Sequence, residues 1–166
     1  RQLFAQAIQL DSHYAEAYAS LGGLHQMAGF FQWSQDPHRD LEQALALAQQ
    51  AVTLDDSLPV AHNVLSIVYL VQRQYEQARV EAERTITLAP NSPLGYRTLA
   101  GVLNFTGQAE QAIGMLEQAL RFDPRFPLPY QAALSWAYLS TKQYDKAIAL
   151  QQKALRLNRN LLESHL

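Results

Sequence analysis

The sequence predicts an all-α fold, a solenoid of antiparallel helix pairs. Three observations predict it: a repeat of 34 residues, a fixed pattern of small residues within it, and prolines at its joints. Residues 59–92 and 93–126 are copies of equal length. Leu65 matches Leu99, Ser66 matches Ala100, Ala78 matches Ala112, Ile86 matches Leu120, Leu88 matches Phe122 and Pro90 matches Pro124. In each copy a large residue precedes a small one: Leu21-Gly22, Leu65-Ser66, Leu99-Ala100, Leu134-Ser135. The small residue lets a second helix come close, and Ala44, Ala78, Ala112 and Ala147 supply the facing surface. Six of the seven prolines (Pro59, Pro90, Pro93, Pro124, Pro127, Pro129) fall at copy boundaries, where one helix stops and another starts.

In chain order, residues 1–14 read as the second helix of a truncated copy, with Phe4, Ala7, Ile8 and Leu10 on its apolar side. Residues 15–58 form a longer copy. Tyr18, Leu21 and Gly22 belong to its first helix, and Leu41, Ala44, Ala51, Val52 and Leu54 to its second. Its 44 residues include an insertion near 30–39 between the two helices. Copies at 59–92, 93–126 and 128–161 follow, the last after one extra residue. Large residues late in each second helix (Val52 and Leu54, Ile86 and Leu88, Leu120 and Phe122, Leu155 and Leu157) are expected to bury against the next hairpin. Gly29 and Gly107 are expected in the turn inside a hairpin, at the place Arg73 and Lys142 hold in other copies. Residues 162–166 read as the start of a truncated capping helix. Both ends look cut, so self-association through them is an expectation.

These residues carry a resemblance. The pattern is similar to the tetratricopeptide repeat family and covers nearly the whole chain. The resemblance implies a right-handed superhelix whose concave groove is lined mainly by first helices. It also implies a protein-protein interaction module that binds a peptide or helix of a partner. Carried over by position, the groove residues are Asn63, Val64, Ile67, Val71, Arg97, Thr98, Asn104, Phe105 and Trp136, with Glu16, Ala19, Ser20, Gly23 and Met27 in the first full copy. The family's best-known ligand mode, a cluster of cations on a terminal carboxylate, is not matched. Its places hold Ala19, Gly23, Val64, Leu94 and Thr98, with only Asn63 and Arg97 of suitable type nearby. One cation is not a clamp. What remains suits an amphipathic helix or an extended apolar segment held by a few aromatic contacts.

The insertion places Phe30, Phe31 and Trp33 within four residues. Read as a ligand surface, they form a partner-facing lobe. Read as packing, they fold back and plug the hairpin, and the sequence favours the plug. Ser34 or Asp36 is expected to cap the following helix, with Pro37 in its first turn. The segment from Phe30 to Leu54 also loosely resembles repeat regions of bacterial multidomain signalling proteins. The alternative reading is therefore a regulatory or sensory arm of a larger signalling enzyme or transcription regulator.

Composition narrows the remaining classes. The chain is 48 % hydrophobic and 17 % charged, which is normal for a packed soluble fold. A net charge of −2 offers no basic field for nucleic acid. Apolar runs such as Ile67-Val68-Tyr69-Leu70-Val71 fall far short of the roughly 20 residues a membrane span needs. The chain has no cysteine, so disulfides, thiolate metal sites and a cysteine nucleophile are excluded. The five histidines lack zinc spacing, and His25 takes a place filled by Tyr69 and Tyr138, as a packed interior ring would. His38-Arg39-Asp40-Leu41 matches the opening of a kinase catalytic loop, but Leu45 stands where the metal-binding Asn belongs. No enzyme activity, cofactor or metal is expected, and cytoplasm is the default location.

Overall fold

Prolines, short side-chain caps and a repeated left-handed turn decide where the helices begin and end. The computed structural model describes residues 1–125 and 128–163. Its elements are all helices: α1 (Gln2–Leu10), α2 (Ala15–Phe30), α3 (Pro37–Leu54), α4 (Pro59–Val71), α5 (Tyr75–Leu88), α6 (Pro93–Phe105), α7 (Ala109–Phe122), α8 (Leu128–Ser140) and α9 (Tyr144–Glu163). Pro37, Pro59 and Pro93 open α3, α4 and α6, where a fixed φ suits the helix and the missing N–H costs nothing. Of the two expected caps for α3, Asp36 takes the role and accepts from the Arg39 N–H at 3.0 Å. Ser92 caps α6 through the Leu94 N–H.

Each first helix ends in the same way. Arg73, Gly107 and Lys142 have positive φ, and the following N–H reaches back five residues: Gln74 to Tyr69, Gln108 to Leu103, Gln143 to Tyr138. This turn satisfies carbonyls the helix leaves unpaired. In the long copy the left-handed residue is Gln32, with Trp33 bonding back to Ala28. Gly29 is therefore not the turn glycine that its match to Gly107 suggested. It lies inside α2, where a Cβ would stand 2.7 Å from Leu41 Cγ and 2.8 Å from the Pro37 carbonyl. Its small size serves packing.

The insertion is absorbed mostly by helix. α2 has 16 residues where α4 and α6 have 13, and α3 has 18 where α5 and α7 have 14. The connecting loop grows only from three residues to six. At the other end, α9 runs unbroken through position 162, where a separate capping helix was expected, and residues 164–166 lie outside the described residues.

Within pairs, small residues do bring the helices together. Ala44, Ala78 and Ala112 have no exposed surface, and Ala147 very little. A Cβ on Gly22 would meet the Ala44 carbonyl at 3.3 Å, and Ser66 Oγ donates to the Ala78 carbonyl at 2.6 Å. Tyr96 of α6 meets Phe122 of α7 within one pair, with ring centroids 5.6 Å apart, and between pairs Ile86 packs under Gly95. Leu155, expected to be covered by a following hairpin, is exposed because nothing among the described residues packs on it.

The order of contacts sets the curvature. α2 touches α4, α4 touches α6 and α6 touches α8, while no two of the second helices α3, α5, α7 and α9 touch each other in the described residues. A row whose members touch lies on the shorter arc. The first helices thus form the inner, concave wall, and the second helices the outer one.

Candidate functional site

Helix periodicity decides which side chains of the inner wall reach solvent. Equivalent places in the last turn of three successive first helices hold Met27, Val71 and Phe105, and all three are exposed, at 42 %, 40 % and 51 %. Trp136 on α8, at the place Gly101 holds on α6, is 49 % exposed, with its ring centroid 5.1 Å from that of Phe105 and the planes tilted by 53°. An aromatic pair this close normally belongs to a core. Here it stands half open to water. Gly101, one turn before Phe105, leaves free space, since a Cβ there would meet only Leu70 at 3.8 Å. Beside Trp136 an open cleft of about 610 Å³ is lined by Ala132, Ser135, Trp136, Leu139, Ser140 and Gln151.

The polar groove residues are deeper. Asn63 and Thr98 are buried and joined, the Thr98 hydroxyl donating to Asn63 Oδ1 at 2.6 Å. Asn104 is also buried, and its Nδ2 donates to the Ala133 carbonyl at 3.0 Å, linking α6 to α8. Val64 and Ile67 are buried, Val64 in the cluster with Ala44, Ala48, Leu65 and Val68. These two serve the seam rather than the surface. Arg97 is partly buried, and desolvation pushes its guanidinium pKa down, opposed by the nearby Tyr130. Burial in turn pushes the Tyr130 phenol up. The predicted set therefore divides: Val71, Phe105 and Trp136 are open, Arg97 is partly so, and the other five are buried. Leu139, 53 % exposed beside Trp136, was not anticipated, although its spacing of three from Trp136 places both on one helix face.

The inserted aromatics do not plug the hairpin. Phe31 stacks on Trp33 at 4.8 Å, Phe30 meets Phe31 edge-on at 5.1 Å, and all three stay exposed. Trp33 follows the left-handed Gln32 and lies on Phe31, 70 % exposed.

Residues 128–161 match the family model of the tetratricopeptide repeat. The chain has the fold of a tetratricopeptide-repeat array. Solved structures agree on the fold. The array is similar to TTC0263, a thermophilic tetratricopeptide-repeat protein of Thermus thermophilus, with a TM-score of 0.77 and 23 % identity over 93 % of this chain and 79 % of that one. It is similar to MamA, with a TM-score of 0.70 and 19 % identity over 96 % and 87 %. It is also similar to YrrB, described as a tetratricopeptide-repeat protein with an unusual peptide-binding site, with a TM-score of 0.64 and 21 % identity over 89 % and 70 %. No curated protein sequence matches the chain.

Away from the inner wall, the array holds two part-buried polar clusters that resemble catalytic groups by composition alone. Asp40, the carboxylate of the kinase-like triplet, accepts from the His25 ring and lies 3.1 Å from Arg1. Burial opposes its charge. The Ser34 hydroxyl, the His25 ring and the charge of Arg1 outweigh that and hold the carboxyl below its ordinary value. His62 sits between Glu81 at 2.6 Å and the Asp56 carbonyl at 3.0 Å, and Arg84 pairs with Asp56 at 2.7 Å. Each cluster ties a first helix to its neighbours. Among the described residues no group of three metal-ligating side chains comes together, and no helix is long and apolar enough to cross a membrane.

Proposed function

We propose that this array is a non-catalytic protein-interaction module that holds a segment of a partner protein against its concave wall, with Phe105 and Trp136 as the apolar anchor. One observation carries the reading: two aromatic rings in mutual contact on adjacent first helices, half exposed, with open space at Gly101 beside them. Aromatic side chains give large contact area at low entropic cost, and few such residues supply most of an interface's energy. The likeness of fold to a structure described as having a peptide-binding site supports the reading.

The test is a Phe105→Ala/Trp136→Ala double variant challenged with peptides that the unaltered array selects from a display library. Helical content should be unchanged, because both rings are half exposed, while peptide retention should be lost. Full retention by the double variant would remove the groove assignment.

A further inference from the structure

The groove presents hydrogen-bond donors that the fold does not use. The Thr98 hydroxyl can donate only to an acceptor, so its bond to Asn63 Oδ1 fixes which way the Asn63 amide faces. The amide's NH₂ then has no acceptor among the described residues. Arg97 precedes Thr98 and takes on α6 the place Asn63 takes on α4. Its guanidinium makes no ion pair and no hydrogen bond among the described residues, although it is partly buried. A guanidinium so placed has lost hydration without gaining an ion pair or hydrogen bond, Tyr130 being its near neighbour, and its planar fork matches a carboxylate.

We infer that Asn63 and Arg97 form an acid-binding subsite, and that the segment held by this array is an extended one carrying an Asp or Glu side chain a few residues from the aromatic or large aliphatic residue seated on Phe105 and Trp136. The inference rests on the groove reading above and adds chemistry and spacing to it. Arg97 and Phe105 are eight positions apart on α6, which is about 12 Å at 1.5 Å per residue. An extended strand covers that distance in about three to four residues. The acid is a side chain and not a chain terminus, because a single guanidinium and one amide lack the converging cations that a terminal carboxylate would need.

The probe is a display library of random ten-residue segments flanked on both sides, so that no free carboxyl terminus is offered. Selected segments should carry Asp or Glu three or four positions from an aromatic or large aliphatic residue. With Arg97→Gln as bait, the acidic preference should vanish while the apolar preference stays. A selected peptide should bind that variant about tenfold to a hundredfold more weakly, as for loss of a hydrogen-bonded charge. Arg97→Lys, which keeps the charge but not the fork, should recover part of that loss. Circular dichroism on each variant confirms that helix content is retained. Segments selected without acid, or with equal acid preference on Arg97→Gln, overturn the subsite and leave the groove reading standing. Selection that ignores Phe105 and Trp136, or no selection at all, removes the groove reading and the subsite with it.

Discussion

Thr98 donates a 2.6 Å hydrogen bond to the side-chain oxygen of Asn63, so two neighbouring first helices are joined by a fully side-chain bond across their seam. Both residues are buried, and each comes from a position the repeat assigns to ligand contact. The bond thus serves two ends: it fixes the α4–α6 seam, and it sets the orientation of the Asn63 amide. Replacing Thr98 with Val keeps the shape and leaves Asn63 Oδ1 buried without its donor. The expected cost is about 1–3 kcal/mol. Urea unfolding of Thr98→Val against Thr98→Ser, which retains the hydroxyl, measures it. Equal midpoints would show that the bond contributes nothing.

Glycines of the array separate by what surrounds them. A Cβ on Gly29 would stand 2.8 Å from the Pro37 carbonyl, and one on Gly95 would stand 2.9 Å from the Ile86 amide nitrogen. Neither backbone neighbour can move without shifting a helix. Gly114, inside α7, has nothing within 4 Å. Alanine at positions 29 and 95 should destabilise by about 1–3 kcal/mol through overpacking. Alanine at position 114 should stabilise by about 0.5–1 kcal/mol, because the glycine spends more chain entropy on a helix. Denaturant midpoints of the three single variants test the opposite signs together.

Much of this fold was legible because a solenoid repeats its own evidence. The match of Ala78 to Ala112 and of Ser66 to Ala100 names the small interface without any coordinates, and both positions are buried. Gly29 was misassigned because a glycine answers equally to a turn and to a close approach. Only the length of α2 distinguishes the two. For the aromatic insertion, composition reports three rings but not that they stack on one another and stay exposed. In the groove, position gives the side of the helix but not the depth. Val64 and Val71 are both on the inner side, yet one is buried and the other open, since the neighbouring helix covers only the middle of α4. The Asp40–His25–Arg1 cluster joins residues from separate elements and leaves no periodic trace.

The shared left-handed turn gives a third prediction. Arg73 and Lys142 hold φ near 60°, a conformation that crowds Cβ, where the equivalent Gly107 sits at 77° without strain. Arg73→Gly and Lys142→Gly should each raise stability by up to about 1 kcal/mol, the relief being partly offset by the greater entropy of glycine in the unfolded chain. Gly107→Ala should lower it by about 1 kcal/mol. Thermal unfolding of the three variants checks the ordering. A loss on placing glycine at 73 and 142 would mean that side-chain contacts of Arg73 and Lys142 outweigh the backbone relief.

Acid should weaken the α2–α3 pair through Asp40. Burial alone would raise its carboxyl, but the Ser34 hydroxyl, the His25 ring and the Arg1 charge together outweigh burial and hold it below the ordinary value near 3.9. Between the lowered folded value and the ordinary unfolded one, the unfolded chain binds more protons than the folded one, so stability there rises with pH. The contribution is fully present above about pH 4–5 and is lost as pH falls through the folded value. Asp40→Asn removes the charge while keeping the shape. It should cost about 1–3 kcal/mol at neutral pH by weakening the contacts to His25 and Arg1. The gap to the unaltered protein should then narrow from pH 5 downward, because acid neutralises the same carboxyl in the unaltered chain. Urea midpoints of both proteins at pH 7, 5, 4 and 3 measure that gap. A gap of constant size across this range would mean that protonating Asp40 does not account for the loss and that its charge contributes nothing to holding α3 against α2.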